Sequence, residues 1–315
     1  MMEFLSFGEP LVGFYPPKGA SVGDDVPITK TWGGDTSNFA IGVARLGHSV
    51  SYLARVGADP FGEGFIALWR RNGVDTSLIA RDEARRTGLY FVSFDAEGKH
   101  SLTYYRRDSA ASAIAPEMIG DRLLSKYRAL HLSGISLGMS PSAFAAGLAL
   151  EEAARRTGCV ISFDVNYRAA QWPSPAAASE AIGTAIADGV DVLEVTDDEM
   201  AALGWGEGVD ALARRFPKAA AIILKRGKRG ASLWRAGERA DIPSFEVAVK
   251  DTVGAGDSFD AGFLSATLRG ASLREAGRFA AATAALTCTG TGPLERMPFL
   301  NEVEAFLAAR ATASR

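Results

Sequence analysis

Asp251-Thr252-Val253-Gly254-Ala255-Gly256-Asp257-Ser258-Phe259, running on into Asp260-Ala261-Gly262-Phe263-Leu264, is the stretch on which the reading of this 315-residue chain turns. Small residues at 254–256 let a ligand come close to the backbone, and the helix expected from Ala255 to Leu268 offers unpaired N–H groups and the positive end of its dipole. That is an anion site suited to phosphate. A bland reading is also open, because a tight turn followed by an acidic helix start occurs in many proteins. Here the carboxylate of Asp257 follows the small-residue turn directly, so a phosphate on the amides would face a base.

Upstream of this segment, apolar runs of strand length alternate with helix-period stretches. Strands are expected at Ser49–Val56, Ala129–Ser133, Val160–Asp164, Val190–Val195 and Ala220–Lys225. Helices are expected at Phe61–Arg71, Pro141–Thr157 and Ala176–Asp188. Continuous apolar strands between helices imply a parallel sheet covered on both faces. The last third reads as helical, at Ala255–Leu268, Leu273–Leu286 and Leu300–Ala309, with Gly270 ending the first and a Ser272/Glu275 capping box opening the second. Two stretches break the rhythm. Leu11–Trp32 is rich in Gly, Pro and Asp. Gly88–Phe94 and His100–Arg106 flank Asp95-Ala96-Glu97-Gly98 as a hairpin, either a lid beside the main sheet or a surface feature without a role.

Composition narrows the functions. Apolar residues make up 47% of the chain and the net charge is −3, which fits a globular protein and gives no electrostatic reason for a nucleic-acid partner. No apolar run is long enough to span a bilayer, so no membrane partner is expected. Two cysteines form neither a disulfide framework nor a Cys-rich zinc site, and with no basic leader at the N-terminus a cytoplasmic setting is expected. Walker and dinucleotide glycine motifs are absent. Gly134-Ile135-Ser136-Leu137-Gly138 matches a hydrolase elbow, but His48, His100 and His131 all precede Ser136, whereas that triad needs its His last.

Gly33-Gly34-Asp35-Thr36-Ser37-Asn38 opens a further helix. Asp35 or Thr36 is either its N-cap, or Gly34 bares backbone to a ligand whose hydroxyls Asp35 and Asn38 bind. Lys225-Arg226-Gly227-Lys228-Arg229-Gly230 sets four cations in a turn, a pattern shared by triphosphate sites and ordinary surface turns.

Gly33–Gly57 and Asp251–Phe263 resemble the two signatures of the ribokinase-like (PfkB) carbohydrate kinases, and the likeness extends over nearly the whole chain. Several segments resemble the 2-keto-3-deoxygluconate kinase branch: Gly8-Glu9-Pro10-Leu11, Gly34-Asp35-Thr36, Thr103-Tyr104-Tyr105-Arg106, Leu132-Ser133-Gly134-Ile135, Phe163 to Arg168 with Trp172, and Leu224-Lys225-Arg226-Gly227. The resemblance implies a single α/β domain over 1–315, with a three-layer core around a mainly parallel sheet and a small β-sheet lid inserted at about 11–32 and 86–108. It implies ATP with Mg²⁺ as donor, a sugar acid as acceptor, a possible homo-oligomer, and in some members a monovalent cation such as K⁺. Asp257 matches the catalytic base and Gly254, Ala255 and Gly256 the anion hole. Gly34, Asp35, Asn38, Tyr90, Tyr104, Arg106, Ile135 and Arg168 fall where substrate is held. Asn166, Thr196, Lys225, Gly227 and Gly230, together with Gly254 and Gly256, fall where ATP is approached. Glu199 matches a residue that supports Mg²⁺ through water, although Thr196 stands where many members carry Asn. Physics adds its own argument for a sugar acid, since two guanidinium groups, on Arg106 and Arg168, suit a carboxylate better than a neutral sugar.

Overall fold

The computed structural model describes residues 2–95, 100–120 and 122–312. The first half of the chain runs β1 (Met2–Phe7), β2 (Leu11–Tyr15), β3 (Thr29–Gly33), α1 (Asp35–Arg45), β4 (Val50–Gly57), α2 (Pro60–Arg71) and β5 (Ile79–Asp82). It continues through β6 (Gly88–Phe94), β7 (His100–Tyr105), β8 (Tyr127–Ser133), α3 (Gly134–Leu137), α4 (Pro141–Thr157) and β9 (Val160–Asp164). Next come α5 (Pro175–Ile186), β10 (Val192–Thr196), α6 (Asp197–Leu203), α7 (Gly208–Arg215) and β11 (Ala221–Lys225). The chain closes with β12 (Ala231–Arg235), β13 (Glu238–Ile242), α8 (Ala255–Leu268), α9 (Leu273–Thr287) and α10 (Leu300–Thr312).

Among the described residues the main sheet has nine strands in the order β13-β12-β11-β10-β9-β8-β1-β4-β5. Strands β11 to β5 are parallel, and β12 and β13 add an antiparallel edge. Burial is nearly continuous along the central parallel strands, as a sheet covered on both faces requires, while successive side chains enter opposite layers. Phe4 of β1 joins the apolar layer built with Phe39, Trp69, Phe263 and Ala280, while Leu5 and Phe7 join the opposite layer with Leu150, Phe163 and Ile182. The helix starts follow from local chemistry. Ser140 and Ser174 each precede a Pro, and their Oγ atoms accept from Ala143 N and Ala177 N; Ser272 and Glu275 make the expected box. The φ angles of Gly158 (70°) and Gly270 (86°) end α4 and α8 in left-handed turns.

The second, smaller sheet has the order β3-β2-β6-β7 and stands over the carboxyl ends of the parallel strands. The hairpin β6–β7 is the one read from sequence, paired from Leu89–Tyr105 to Phe94–His100; Ala96, Glu97 and Gly98 of its expected turn lie outside the described residues. Leu11–Trp32, expected within the small β-sheet, carries a strand at each end. β2 pairs antiparallel with β3 and parallel with β6, and Val12, Phe14, Tyr15, Thr29, Thr31 and Trp32 are residues that favour strands. Among the described residues, no helix is long and apolar enough to cross a membrane.

Candidate active site

The parallel strands deliver β1, β8, β9, β10 and β11 to one edge, where connecting loops carry the polar groups, the usual place for ligands on an open α/β sheet. Between that edge and the small sheet lies a cavity of about 1240 Å³. Its wall includes Gly34, Asp35, Asn38, Tyr90, Tyr104, Ile135, Asn166, Arg168, Thr196, Glu199, Lys225, Gly254, Gly256 and Asp257. Most of the residues singled out in the sequence are therefore brought together.

Asp257 sits in the first turn of α8. Its N-cap, Gly254, has φ 80°, and a Cβ there would lie 2.5 Å from Pro293 Cβ, so no other residue fits this turn without moving it. Asp251 ties the preceding loop together, its two oxygens accepting from Val253 N (3.1 Å) and Gly292 N (2.8 Å). Ala255 is a correction. Its N–H donates to Thr252 O at 3.2 Å and it does not line the cavity, so the first-turn amides that follow, at Gly256 and Asp257, are the ones offered to an anion. Burial, then the nearby charge of Asp35, pushes the Asp257 carboxyl up to about 7, against a bond from Asn38 Nδ2 to Oδ2 (2.7 Å) that favours the anion. A carboxyl poised there can take up and release a proton near neutral pH.

The second turn is built on Gly34, which takes φ 97° and passes so close to the β1–β2 link that a Cβ would meet Glu9 O at 2.4 Å. Gly34 itself is the N-cap of α1 and no side chain caps it, so neither Asp35 nor Thr36 is spent on capping. Asp35 Oδ2 accepts from Asn166 Nδ2 (3.0 Å), while Asp35 Oδ1 and Asn38 Oδ1 are buried acceptors without a partner. Unpaired acceptors beside a base are what a polyol's hydroxyls would satisfy. Asn166, with φ 36°, lines the cavity and is tied to its Asp35 side by this bond.

Arg106 and Arg168 part company. Arg168 points into the cavity, its side chain 40% exposed, with Nη1 donating to Tyr167 O (2.9 Å) and lying 3.7 Å from Glu199 Oε1. Arg106 is a correction. Its side chain is 10% exposed, forms an ion pair with Glu9 and does not line the cavity. Glu9 is 1% exposed and also accepts from Ser109 Oγ (2.5 Å), so this pair fastens the end of β7 to the hinge between the two sheets. Breaking a buried pair leaves a bare charge, so Arg106→Leu is expected to lower Tm by about 5 °C or more and to raise KM for every sugar alike. Thermal melts and a sugar panel check this; a loss confined to sugar acids would restore Arg106 to the site.

Thr196 explains the departure noted in the sequence. It is the N-cap of α6, and a capping box with Glu199 turns the Glu199 carboxylate back to Thr196 N (2.8 Å) and Tyr167 N (2.9 Å). Glu199 still lines the cavity beside Asp198. No group of three His, Cys, Asp or Glu that could cage a metal occurs among the described residues. Gly227 and Gly230 shape the β11–β12 turn, where Arg226 N donates to Gly230 O (2.8 Å), next to Lys225 on the cavity wall. Ser136, the false elbow, is fully buried and donates to Phe7 O.

Sequence reasoning passed over Tyr15, whose hydroxyl meets that of Tyr90 at 3.0 Å, and the buried acids Glu194 and Asp260. A charge in the middle of the apolar run Val190–Val195 was the available signal for Glu194.

A family model described as pfkB family carbohydrate kinase matches residues 7–299. The chain belongs to the pfkB family of carbohydrate kinases. It is 35% identical over 314 residues to 2-dehydro-3-deoxygluconokinase of Thermoproteus tenax, covering 98% of this chain and 95% of that protein. It is 32% identical over 314 residues to probable fructokinase-3 of Arabidopsis thaliana, covering 96% and 90%. Among solved structures, a putative Ribokinase II of E. coli in complex with ATP and Mg²⁺ superposes with a TM-score of 0.88 at 26% identity, covering 98% and 100%. In this carbohydrate kinase the relatives agree on the reaction class and divide on the sugar.

Proposed function

We propose that this kinase transfers the γ-phosphoryl group of ATP to the primary 6-hydroxyl of 2-keto-3-deoxygluconate, with Asp257 as general base. The observation that carries the choice of sugar is the Arg168 guanidinium, half-exposed in the cavity that Asp257 also lines. An acid sugar spans the two, its carboxylate on Arg168, its hydroxyls on the unpaired oxygens of Asp35 and Asn38, and its terminal hydroxyl at Asp257. Tyr90 and Tyr104 give an apolar wall with polar tips.

Phosphoryl transfer depends on alignment and charge neutralisation. The 6-hydroxyl loses its proton to Asp257 as its oxygen bonds to phosphorus and the bond to the ADP oxygen breaks. Gly256 and Asp257 amides hold charge on the group in flight. The small sheet, acting as a lid, keeps water from competing. Mg²⁺ fits here as an ion that arrives on the phosphates: each Glu199 oxygen accepts one backbone N–H and keeps a lone pair for a bound water, and Asp198 stands beside it. Bound there, it would neutralise phosphate charge.

A neutral ketose is the second reading, favoured by the withdrawal of Arg106 to Glu9, which leaves one guanidinium in the cavity. ADP release measured with 2-keto-3-deoxygluconate, fructose and ribose separates the two; the highest kcat/KM is expected for the sugar acid, and a higher value for fructose would reassign the substrate. Because Asp257 must be ionised to accept a proton, kcat/KM is expected to rise with pH through about 7 and then level off. A flat profile between pH 5.5 and 8.5, roughly the span over which such a group titrates, would remove Asp257 from the role.

A further inference from the structure

We propose that Lys225 is a positioning residue that keeps Asp257 available as an anion, and that Glu194 and Asp260 behind it hold a single proton between them. The inference rests on the reading of Asp257 as the base. Lys225 Nζ lies 2.8 Å from Asp260 Oδ1, 3.2 Å from Asp164 Oδ1 and 3.9 Å from Glu194 Oε2. On its other side it backs the turn that presents the base: a Cβ on Gly256 would sit 3.7 Å from Nζ. Asp260 follows Asp257 by about one helical turn on α8, so the two carboxyls share a helix face, whose Asp260 end touches this ammonium.

The charge balance of this group needs explaining. Glu194 is fully buried and Asp260 is 1% exposed, yet both Glu194 oxygens and Asp260 Oδ2 receive no hydrogen bond. Two ionised carboxylates cannot satisfy each other, and one ammonium cannot neutralise Asp164, Glu194 and Asp260 together. A proton shared by Glu194 and Asp260 satisfies the bare oxygens and leaves one negative charge on the pair, and the two titrate as a unit. Burial raises both carboxyls, in keeping with that state. The surrounding groups complete the account. Asp35 on α1 opposes ionisation of Asp257, and His131 on β8 is neutral, pushed down to about 3 by burial. Arg168 and Glu199 lie at the cavity side and pair with each other. Lys225 is thus the cation that acts on Asp257 from within the core.

The test follows the Asp257 carboxyl itself, by ¹³C NMR titration of the full-length protein, its resonance identified by loss in Asp257→Asn. Lys225→Met is expected to raise the Asp257 midpoint by about one pH unit or more, and Lys225→Arg to restore it. A folded Lys225→Met protein with an unmoved midpoint overturns the first claim, whether or not Asp257 proves to be the base in kinetic assays. For the second claim, the infrared difference spectrum of parent minus Glu194→Gln at neutral pH is expected to show a protonated-carboxyl band, the contributions of Asp257 and Glu151 cancelling between the two. That variant keeps the hydrogen bond to Asp260 without the proton, and it also serves if Lys225→Met does not fold. Absence of that band from the difference spectrum overturns the shared proton.

Discussion

Asp257→Asn is expected to lower turnover by about 10²–10⁴-fold, the range over which a positioned base accelerates a reaction, with the KM for sugar nearly unchanged. The physical reason is that Asn keeps the shape and can still accept from Asn38 Nδ2, which bonds Asp257 Oδ2 at 2.7 Å, but cannot take a proton from an alcohol. The first-turn amides of α8 and the unpaired oxygens of Asp35 and Asn38 remain to bind the substrates. Losing kcat while keeping KM separates chemistry from binding. Steady-state kinetics by coupled ADP detection, with circular dichroism to confirm folding, is the measurement. Wild-type turnover in a folded Asn variant would sink the assignment.

Arg168→Leu is expected to cut kcat/KM for 2-keto-3-deoxygluconate by about 10–100-fold while fructose is little affected. A charge-assisted hydrogen bond contributes about 1.5–3 kcal/mol, and a neutral ketose has no carboxylate to lose. Arg168→Lys is expected to fall between, because an ammonium keeps the charge and gives up the planar fork. The comparison must be a ratio between sugars, since Arg168 also lies 3.7 Å from Glu199 Oε1 and its removal disturbs that carboxylate for every substrate. Equal losses for both sugars would mean that Arg168 acts through Glu199 and clamps nothing.

The two arginines show where reading a sequence stops. Both are cations near aromatic residues, and nothing in Tyr104-Tyr105-Arg106 or Tyr167-Arg168 says which one reaches a ligand. The answer depends on Glu9, nearly a hundred residues before Arg106 in the link between the two sheets, which draws Arg106 into a buried pair. Lys225 was legible as a cation after a strand, but the acids that hold it come from β9, β10 and α8 and meet only when the sheet closes against that helix. Leu11–Tyr15 and Thr29–Gly33 carry strand-favouring residues, but their pairing partners are each other and β6, so the register of the small sheet exists only in the fold.

By itself, the order of residues determined the alternation of strands and helices, the helix caps, and a small-residue turn followed at once by an acid. Each of these is written within a few neighbouring positions, where local sterics and backbone hydrogen bonding decide the outcome. Only the tertiary structure decided which charges face the cavity, which cancel one another in the interior, and which carboxyl is left near neutrality. Those outcomes depend on distance and desolvation between groups far apart in the chain, and neither quantity exists until the chain has folded.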